Sequence, residues 1–479
     1  MRRSNVALLY LATLLASCSG SRSEPGDPVA APLPTPTGKG ILLLTTNQIR
    51  ASSSALDRYV EAKMRRNFRV QVVTEDQYGG ESAERGWPRA QRIRSWLQSH
   101  RADYSYLLVV GDAHPDHGDV PMITVWPRHE MPADLCGNAF VTDCRTCLTD
   151  GMYADLTGDW DLNRNGHPGE TGLDDGPGGI DFQPELVVGR LPVYFGDGSE
   201  ADRILEHTME YMDQTKQQAS YRRSVLLPAA LFYVKGQALA NSTAYATVDG
   251  ASTAEWFLHN VLASRSSFSY TRMYEMEGIV PSTWPSDVAL NEDNLAATWS
   301  QGYGVIFWMG HGLQREVGRV VWNADANSNG IPENTEMSSP LFLRSVTLER
   351  VTPGKPGFVV AVSCEVGNAS NPYHLAQSAL LNGAAIGVIG SSGVTPGDGT
   401  VYDKLDSPMD QEGFGATNAG IEVIKAILDG KPPAEGFASA RVSLGTSGNA
   451  EAYAGKMMLN YFGDPTLTID SSIDDVVFK

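Results

Sequence analysis

The chain has 479 residues, of which 42% are apolar and 19% are charged, so it can form two or three folded units. Its formal net charge of −19 argues against nucleic-acid or anionic-membrane binding through a basic surface. Beyond the N-terminal segment, no apolar run approaches the roughly 18 residues that would span a bilayer.

The first 18 residues have the pattern of an export signal. Arg2 and Arg3 precede an apolar stretch from Val6 to Leu15, and small residues then lead to Cys18. This pattern resembles a bacterial lipoprotein signal, which implies cleavage before Cys18 and lipidation of that residue as a membrane anchor. By the same resemblance, Ser19 at the next position favours the outer membrane or cell surface if the source is Gram-negative. An ordinary signal peptide with a chance cysteine is the alternative.

Residues 19–40 are rich in Ser, Pro, Gly and Thr and are predicted to form an extended tether. From Ile41, strand-type and helix-type segments alternate at the spacing of βαβ units. Together they form a predicted first unit, residues 41–217, which a loop-rich insertion at 116–181 interrupts. Its predicted strands are 41–46, 68–73, 106–110 and 185–189, and its predicted helices are 53–67, 87–100 and a segment ending near 216.

A second unit is predicted over residues 218–470, followed by a short tail at 471–479. Two of its strands, residues 303–310 and 358–363, carry no charge and are mostly apolar, which is typical of a sheet that is buried on both faces. The sequence therefore predicts an α/β fold with mainly parallel sheets flanked by helices. The predicted strands are 224–233, 268–273, 303–310, 358–363 and 384–389, and the predicted helices are 254–263, 375–381 and 421–428, with 456–469 closing the unit.

Two of these strands lead directly into reactive side chains. The segment YGVIFWMG is followed by His311 and Gly312, and FVVAVS is followed by Cys364. Neighbouring parallel strands end at one edge of a sheet, so the imidazole and thiol could act on one substrate. The amides of Gly312 and Cys364 are candidates for an oxyanion hole. On spacing alone, a buried structural thiol and a loop histidine are the alternative.

Several further blocks keep the order found in a known family. The chain resembles the gingipain-type cysteine peptidases, a caspase-like family of clan CD, over about residues 41–469. The resemblance implies a caspase-haemoglobinase fold of two adjacent α/β subdomains, a His311–Cys364 dyad, and a protein or peptide substrate cleaved through a thioester acyl-enzyme. The similar blocks are YLLVVGD (106–112), DGMYADLTGDWD (150–161), PELVVGRLPV (184–193) and NYFGDPTLTI (460–469).

The resemblance is incomplete around substrate recognition. In the family one acid assists the histidine and another sets the arginine preference, but the corresponding stretch here reads LPAALFYVKG. Asp249 and Glu255 are nearby without aligning, so neither a third catalytic group nor an arginine preference is carried over. Ser391 and Ser392, which follow the predicted strand 384–389, are candidates for the substrate pocket. A sortase-like transpeptidase or an inactive, calcium-stabilised surface-binding lipoprotein are the alternative functions.

Two Asp- and Asn-rich segments have the alternating oxygen ligands of calcium-binding loops. The first, DANSNGIPENTE, lies between the two candidate catalytic residues in the chain, so a bound ion would stabilise the edge of the active site. Polar surface turns without an ion are the alternative. The predicted ligands are Asp325, Asn327, Asn329, the carbonyl of Ile331 and Glu336 in the first loop, and Asp159, Asp161, Asn163, Asn165 and Glu170 in the second.

Three cysteines lie close together inside the insertion, at Cys136, Cys144 and Cys147. In an exported protein, two of them are expected to form a disulfide and to leave the third free. A zinc site that includes His129 is the alternative, but the segment lacks a clear fourth ligand.

Overall fold

The structure is a computed structural model that describes residues 35–80, 84–132, 143–239, 243–395, 404–409, 415–445 and 449–478. The predicted signal with Cys18, most of the tether, and Cys136 lie outside these ranges. No helix within the ranges is both long enough and apolar enough to cross a membrane.

Most strands belong to one large sheet of eleven strands within the described ranges. Central strands such as Val305–Met309 and Ala385–Ser391 are buried along their whole length, as their apolar composition predicts. In chain order the strands are β1 Gly40–Leu44, β2 Arg69–Val73, β3 Tyr106–Gly111, β4 Val187–Pro192, β5 Ser224–Ala229, β6 Ser269–Tyr274, β7 Val288–Ala289, β8 Val305–Met309, β9 Gly357–Val362, β10 Ala385–Ser391 and β11 Leu459–Gly463.

The order of strands across the sheet is β7-β6-β5-β8-β9-β10-β11-β4-β3-β1-β2. Neighbouring strands are parallel except at β10 and β11, which pair in antiparallel fashion. Since β11 is parallel to β4, the strands of residues 40–192 run opposite to those of residues 224–391. The sheet therefore has two parallel halves, and β11, from near the end of the chain, joins them.

Helices pack on this sheet and complete an α/β fold. The sequence predicted six of the thirteen helices in the described ranges; among those it did not predict are residues 292–299, 433–443 and 450–458. The helices are α1 Asn47–Ser52, α2 Leu56–Arg65, α3 Glu75–Tyr78, α4 Gly86–His100, α5 Gly151–Ala154, α6 Ser199–Met212, α7 Gly250–Phe257, α8 Glu292–Trp299, α9 Ser345–Leu348, α10 Leu375–Leu381, α11 Ala416–Leu428, α12 Pro433–Ser443 and α13 Ala450–Met458.

Short strands outside the main sheet shape the loops around the ends of the central strands. A three-stranded antiparallel sheet follows β8, and two-stranded ribbons lie elsewhere. The sheet that follows β8 consists of His311–Leu313, Glu316–Gly318 and Leu341–Arg344; the ribbons are Ile123–Val125 with Cys147–Thr149, Leu231–Tyr233 with Val248–Asp249, and Val321–Trp322 with Met337–Ser338.

Two buried ion pairs connect distant parts of the chain. Lys63 of α2 lies 2.5 Å from Asp464, whose carboxylate also accepts a hydrogen bond from Tyr59. Arg190 of β4 donates two hydrogen bonds to the carboxylate of Asp150, which lies in the insertion. Asp464, Arg190 and Asp150 belong to the sequence blocks GDPT, GRLPV and DGMYAD. Each is buried in an ion pair, and this structural role was not evident from the sequence.

Candidate active site

The register between β8 and β9 places the two candidate catalytic residues side by side. Met309 is paired with Val362, and the next residue, Gly310, donates a backbone hydrogen bond to the Val362 carbonyl at 3.2 Å. The Ser363 hydroxyl in turn donates to the Gly310 carbonyl at 2.7 Å. His311 and Cys364 are the residues that follow these bonded positions, so they leave the sheet on adjacent strands.

Gly312 allows the histidine loop to approach the cysteine loop closely. A Cβ atom added to Gly312 would lie 2.3 Å from the carbonyl oxygen of Cys364 and 3.0 Å from its backbone nitrogen. The first distance is far below a normal contact, so any larger residue at position 312 would push the two loops apart. The glycine is therefore required for this packing.

The imidazole of His311 is oriented by a backbone carbonyl. Its Nε2 atom lies 2.9 Å from the carbonyl oxygen of Phe232, which follows β5. A carbonyl oxygen only accepts hydrogen bonds, so Nε2 carries the proton when the ring is neutral. The lone pair is then on Nδ1, which has no hydrogen bond within the described part of the chain. This tautomer can accept a proton at Nδ1.

Two aromatic rings restrict the histidine further. The rings of Phe232 and Tyr233 meet the His311 ring edge to face, with centroid distances of 5.2 and 5.3 Å. Burial lowers the pKa of His311, and the hydrogen bond to the Phe232 carbonyl opposes that shift only in part. The ring is therefore neutral at neutral pH and able to act as a base.

Cys364 is half-buried as a residue, and the surroundings of its thiol shift the pKa in both directions. Burial raises the pKa of Cys364, while the hydroxyl and backbone N–H of Thr395 lower it; the neighbouring carboxylate of Glu365 raises it further. With the lowered pKa of His311, these effects favour a neutral thiol and a neutral imidazole over a thiolate–imidazolium pair. Proton transfer is then coupled to the arrival of substrate.

Comparison with known proteins identifies the family of the chain. The sequence profile of Peptidase family C25 matches residues 35–470. The chain belongs to peptidase family C25. It is thus a cysteine-type endopeptidase of the gingipain type, as the motif resemblance predicted. Comparison with curated proteins gives no sequence match.

Solved structures of gingipain-type peptidases share the fold. The crystal structure of the Arg-specific cysteine proteinase gingipain R (RgpB) is 12% identical over 91% of this chain and 79% of that chain, with a TM-score of 0.58. The complex of Porphyromonas gingivalis RgpB pro- and mature domains is 13% identical over 91% and 81%, with a TM-score of 0.55. A structure described only as a protease is 14% identical over 90% and 78%, also at 0.55. The predicted caspase-like α/β fold is therefore confirmed.

The two acids near the position of the family's assisting glutamate are both engaged elsewhere. Asp249 accepts hydrogen bonds from the Ser282 hydroxyl at 2.6 Å and the Ala251 N–H at 2.9 Å. Glu255 binds Arg272, with Nε and Oε1 2.6 Å apart. Neither acid bonds to His311, whose partner in the described residues is a carbonyl oxygen. The contact that orients this C25 histidine is thus a backbone group, which residue types do not reveal.

The two serines predicted to line the substrate pocket lie in the interior. The Ser391 hydroxyl donates to the carbonyl of Gly393, and the Ser392 hydroxyl donates to that of Leu148. Both hydroxyls are buried and stabilise the loop after β10. A role in substrate binding at these positions would therefore use the backbone of this loop.

The first predicted calcium loop forms a tight turn of oxygen acceptors. The Asp325 carboxylate accepts from the N–H groups of Asn329 and Gly330, while the Asn327 and Asn329 amide oxygens accept from the backbone two residues later. Glu336 is 7% exposed and accepts from the Ala326 N–H at 2.7 Å. Within the described residues, no three His, Cys, Asp or Glu side chains cluster as metal ligands. A cation in this loop would therefore be bound by two carboxylates together with Asn side-chain oxygens and a backbone carbonyl.

The second predicted loop repeats this turn with Asp161 in the first position. Asp161 accepts from the N–H groups of Asn165 and Gly166, four and five residues later, as Asp325 does in the first loop. Glu170 accepts from the amide side chains of Asn163 and Asn165 at 2.9 and 2.6 Å. Asp159 lies outside this repeat and accepts from the N–H of residue 161.

The cysteines of the insertion differ in state. Cys144 is disulfide-bonded, and Cys147 is a buried free thiol whose pKa burial raises to about 12. Cys136 lies outside the described residues. His129 has an unpartnered Nδ1, and no metal cluster forms around it in the described part of the chain. Arg128, the residue before His129, was not predicted to have a role. Its guanidinium nevertheless donates a hydrogen bond to the carbonyl of Val394, in the loop after β10.

Proposed function

We propose that this C25 peptidase hydrolyses peptide bonds through a His311–Cys364 dyad and a thioester acyl-enzyme. The observation that supports this proposal is the paired ends of β8 and β9, where the Ser363–Gly310 hydrogen bond holds the two residues on adjacent strands. A histidine whose Nδ1 has no hydrogen bond within the described residues, next to a half-buried cysteine on the adjacent strand, supplies the two groups that a base and its nucleophile require.

In the first step, Nδ1 of His311 accepts the thiol proton as the sulfur of Cys364 attacks the carbonyl carbon of the scissile peptide bond. A carbon–sulfur bond forms, and the carbonyl π electrons move to oxygen. The backbone N–H groups of Gly312 and Cys364 are proposed to bind this oxyanion. The close approach of these two residues supports the assignment.

In the second step, the carbon–nitrogen bond breaks and His311 returns its proton to the departing amine. A thioester remains on Cys364. Water then gives one proton to Nδ1 and attacks the thioester, so that the acid product leaves and the thiol is restored. The Phe232 carbonyl stabilises the imidazolium formed in each half-reaction through the proton on Nε2.

A mixed peptide library incubated with the full chain, calcium and reductant tests the proposal. We expect cleavage by the wild-type chain, none by Cys364→Ala or His311→Ala, and full cleavage by Cys147→Ala, which removes a buried thiol. The cleavage sites also give the residue preference, including any arginine preference of the kind named for gingipain R. A wild-type chain that cleaves nothing would favour the surface-binding alternative.

Adding a primary amine to the same assay separates hydrolysis from transpeptidation. Hydrolysis gives free carboxyl products at every amine concentration, whereas a transpeptidase transfers the acyl group to the amine. Mass spectrometry of the products distinguishes the two. We expect hydrolysis to dominate at millimolar amine.

Calcium is the proposed structural ion of this enzyme. Both loops hold carboxylate and amide oxygens in the same turn, and such hard oxygen donors suit Ca²⁺. Asp325, Asn327, Asn329, the Ile331 carbonyl and Glu336 are the proposed ligands of the first loop. Those of the second are Asp161, Asn163, Asn165 and Glu170, with Asp159 outside the repeated turn. The ion would stabilise these loops without entering the reaction.

The proposed location is the outer membrane or cell surface, through a lipid on Cys18. The basic, apolar and small-residue segments before Cys18 support this proposal. Expression in a Gram-negative host followed by detergent-phase partitioning tests it. The wild-type chain should enter the detergent phase and Cys18→Ala should not; equal partitioning of both would contradict lipidation.

A further inference from the structure

The loop that follows β10 is fixed beside the nucleophile by backbone hydrogen bonds. Gly367 donates to the Ser391 carbonyl at 2.7 Å, and Glu365 donates to the Gly393 carbonyl at 3.0 Å. Ser392 donates to the carbonyl of Met458 at 2.9 Å. The chain after Cys364 is therefore connected to the loop that contains Thr395.

Arg128, a residue of the insertion, also binds this loop and is itself held by an ion pair with Glu451. Nη1 of Arg128 donates to the carbonyl of Val394 at 2.9 Å and to that of Cys144 at 3.1 Å. Its guanidinium binds Glu451 at 2.7 Å. The Arg128 side chain is 4% exposed, whereas that of Glu451 is 41% exposed. A buried cation thus anchors the residue immediately before Thr395.

Thr395 is half-buried, but its hydroxyl oxygen is fully buried and has no conventional hydrogen-bond partner in the described residues. Its Oγ1 atom is inaccessible to solvent and forms no well-aligned hydrogen bond within the described part of the chain. The hydroxyl and the backbone N–H of Thr395 both act on the sulfur of Cys364. A buried hydroxyl without a partner is costly, and it is the kind of group that a newly formed anion would satisfy.

We propose that Thr395 is a catalytic residue of this enzyme: its hydroxyl and backbone N–H stabilise the Cys364 thiolate that forms when His311 takes the proton. Arg128 and Glu451 are positioning residues that hold Thr395 in place. This inference deepens the proposed function and rests on it.

The groups around the Cys364 sulfur have opposing effects on the ionisation of the thiol. The Glu365 carboxylate disfavours the thiolate, and the Arg128 cation favours it. Tyr233, beside His311, also interacts electrostatically with the thiol. Because Glu365 and burial both oppose ionisation, donors aimed at the sulfur are needed for the attacking anion to form at neutral pH.

The pH dependence of Cys364 alkylation by iodoacetamide tests the role of Thr395 without any peptide substrate. Peptide-resolved mass spectrometry on the full chain separates Cys364 from the other thiols. For Thr395→Val, which keeps the shape and removes the hydroxyl, we expect the alkylation pKa to rise by about one pH unit. Alkylation at pH values below that pKa then slows about tenfold. Thr395→Ser should restore the wild-type profile.

Glu451→Gln tests whether the Arg128–Glu451 ion pair positions Thr395. The Glu451 side chain is exposed, so its substitution should not disturb the core. We expect a shift in the same direction as for Thr395→Val, but smaller, because Arg128 keeps its bond to the Val394 carbonyl. An unchanged alkylation profile in Thr395→Val would overturn the proposal, as would a profile that Thr395→Ser fails to restore. These outcomes are independent of peptide cleavage, so a wild-type chain that cleaves nothing would contradict the proposed function while leaving the thiol profile readable.

Discussion

The Nε2 atom of His311 lies 2.9 Å from the carbonyl oxygen of Phe232, so a backbone group orients the imidazole. Such a partner adds no titrating charge to the dyad. It fixes the tautomer and stabilises the imidazolium, but it raises the histidine pKa less than a buried carboxylate would. The pH dependence of this enzyme follows from that difference.

The pH profile of kcat/KM is expected to be broad. Burial lowers the pKa of His311 below its ordinary 6.5, and burial raises that of Cys364 above its ordinary 9.0. Activity requires a neutral imidazole, so the acid limb should lie below pH 6.5 and the plateau should extend to about 9. Initial rates with a cleaved library peptide give the profile. An acid limb above pH 6.5 would indicate an assisting carboxylate.

Gly312→Ala should abolish activity and reduce stability. The new Cβ would lie 2.3 Å from the Cys364 carbonyl oxygen, so the two loops must separate, at a cost of about 1–3 kcal/mol in unfolding free energy. Gly318→Ala is the control, because it lies in the adjacent strand and its Cβ would meet nothing closer than 3.8 Å. Peptide cleavage and urea unfolding of both variants provide the test. Equal effects of the two substitutions would contradict the predicted collision.

Glu365→Gln should stabilise the enzyme at neutral pH. This carboxylate is 8% exposed and has no hydrogen bond or ion pair within the described part of the chain. Burial raises the pKa of Glu365, so the folded state binds its proton more tightly than the unfolded state. The resulting cost builds up as the pH rises from about 4.5 through the folded pKa, and it is absent below 4.5. Melting temperatures of the variant should exceed those of the wild type at pH 7 and match them in acid.

Glu349→Gln, at an exposed position, is the control for this substitution. It should leave the melting temperature unchanged at both pH values. A Glu365→Gln chain that is less stable than the wild type at pH 7 would show that the carboxylate has a stabilising partner.

Asp464→Asn should be strongly destabilising. It leaves Lys63 buried without its counter-ion, and the loss of one member of a buried pair costs about 3–5 kcal/mol. The Lys63 cation and the N–H and hydroxyl of Thr466 lower the pKa of Asp464 despite its burial. The stability that the ionised carboxylate contributes is therefore present at neutral pH and lost as the pH falls through the folded pKa. Glu206→Gln, in an exposed pair with Arg58, should change stability by less than about 1 kcal/mol. Urea unfolding at pH 7 compares the two.

Removal of calcium should lower the melting temperature. A ligand at 100 times its Kd stabilises the folded state by about 2.7 kcal/mol, and chelation removes that contribution. Asp325→Asn and Asp161→Asn should each weaken binding at one loop, because each replaces the first carboxylate of the turn. Calorimetric titration of the wild type and both variants assigns the sites. An identical melting curve with and without chelator would rule out a stabilising ion.

Apolar strands were predicted well because their burial on both faces leaves a continuous run of apolar residues, as in Val305–Met309. Helix α13 was missed for the opposite reason. Residues 452–458 are all buried, so the segment lacks the polar face that would reveal a helical period. Helix α12 was missed because it begins at Pro433 and contains Gly436, residues that read as a turn.

The long-range contacts around the candidate active site leave no comparable pattern in the sequence. Phe232 contributes a carbonyl oxygen, which every residue has, and its role depends on where the chain passes the imidazole. Arg128 and Thr395 lie 267 positions apart in the numbering, and the hydrogen bond from Arg128 to the Val394 carbonyl brings their segments together. Local patterns do not encode contacts of this range.

The sequence by itself determined the α/β class and the family, and it predicted His311 and Cys364 as the reactive pair, because alternating periodicity, ordered motifs and strand-end side chains are local properties of the chain. The tertiary structure alone decided that β11 joins two oppositely directed half-sheets, that a carbonyl rather than an acid orients His311, and that Arg128 holds the Val394 carbonyl next to Thr395. These features depend on strand order and on loops brought together over long separations, which are settled by packing the whole core.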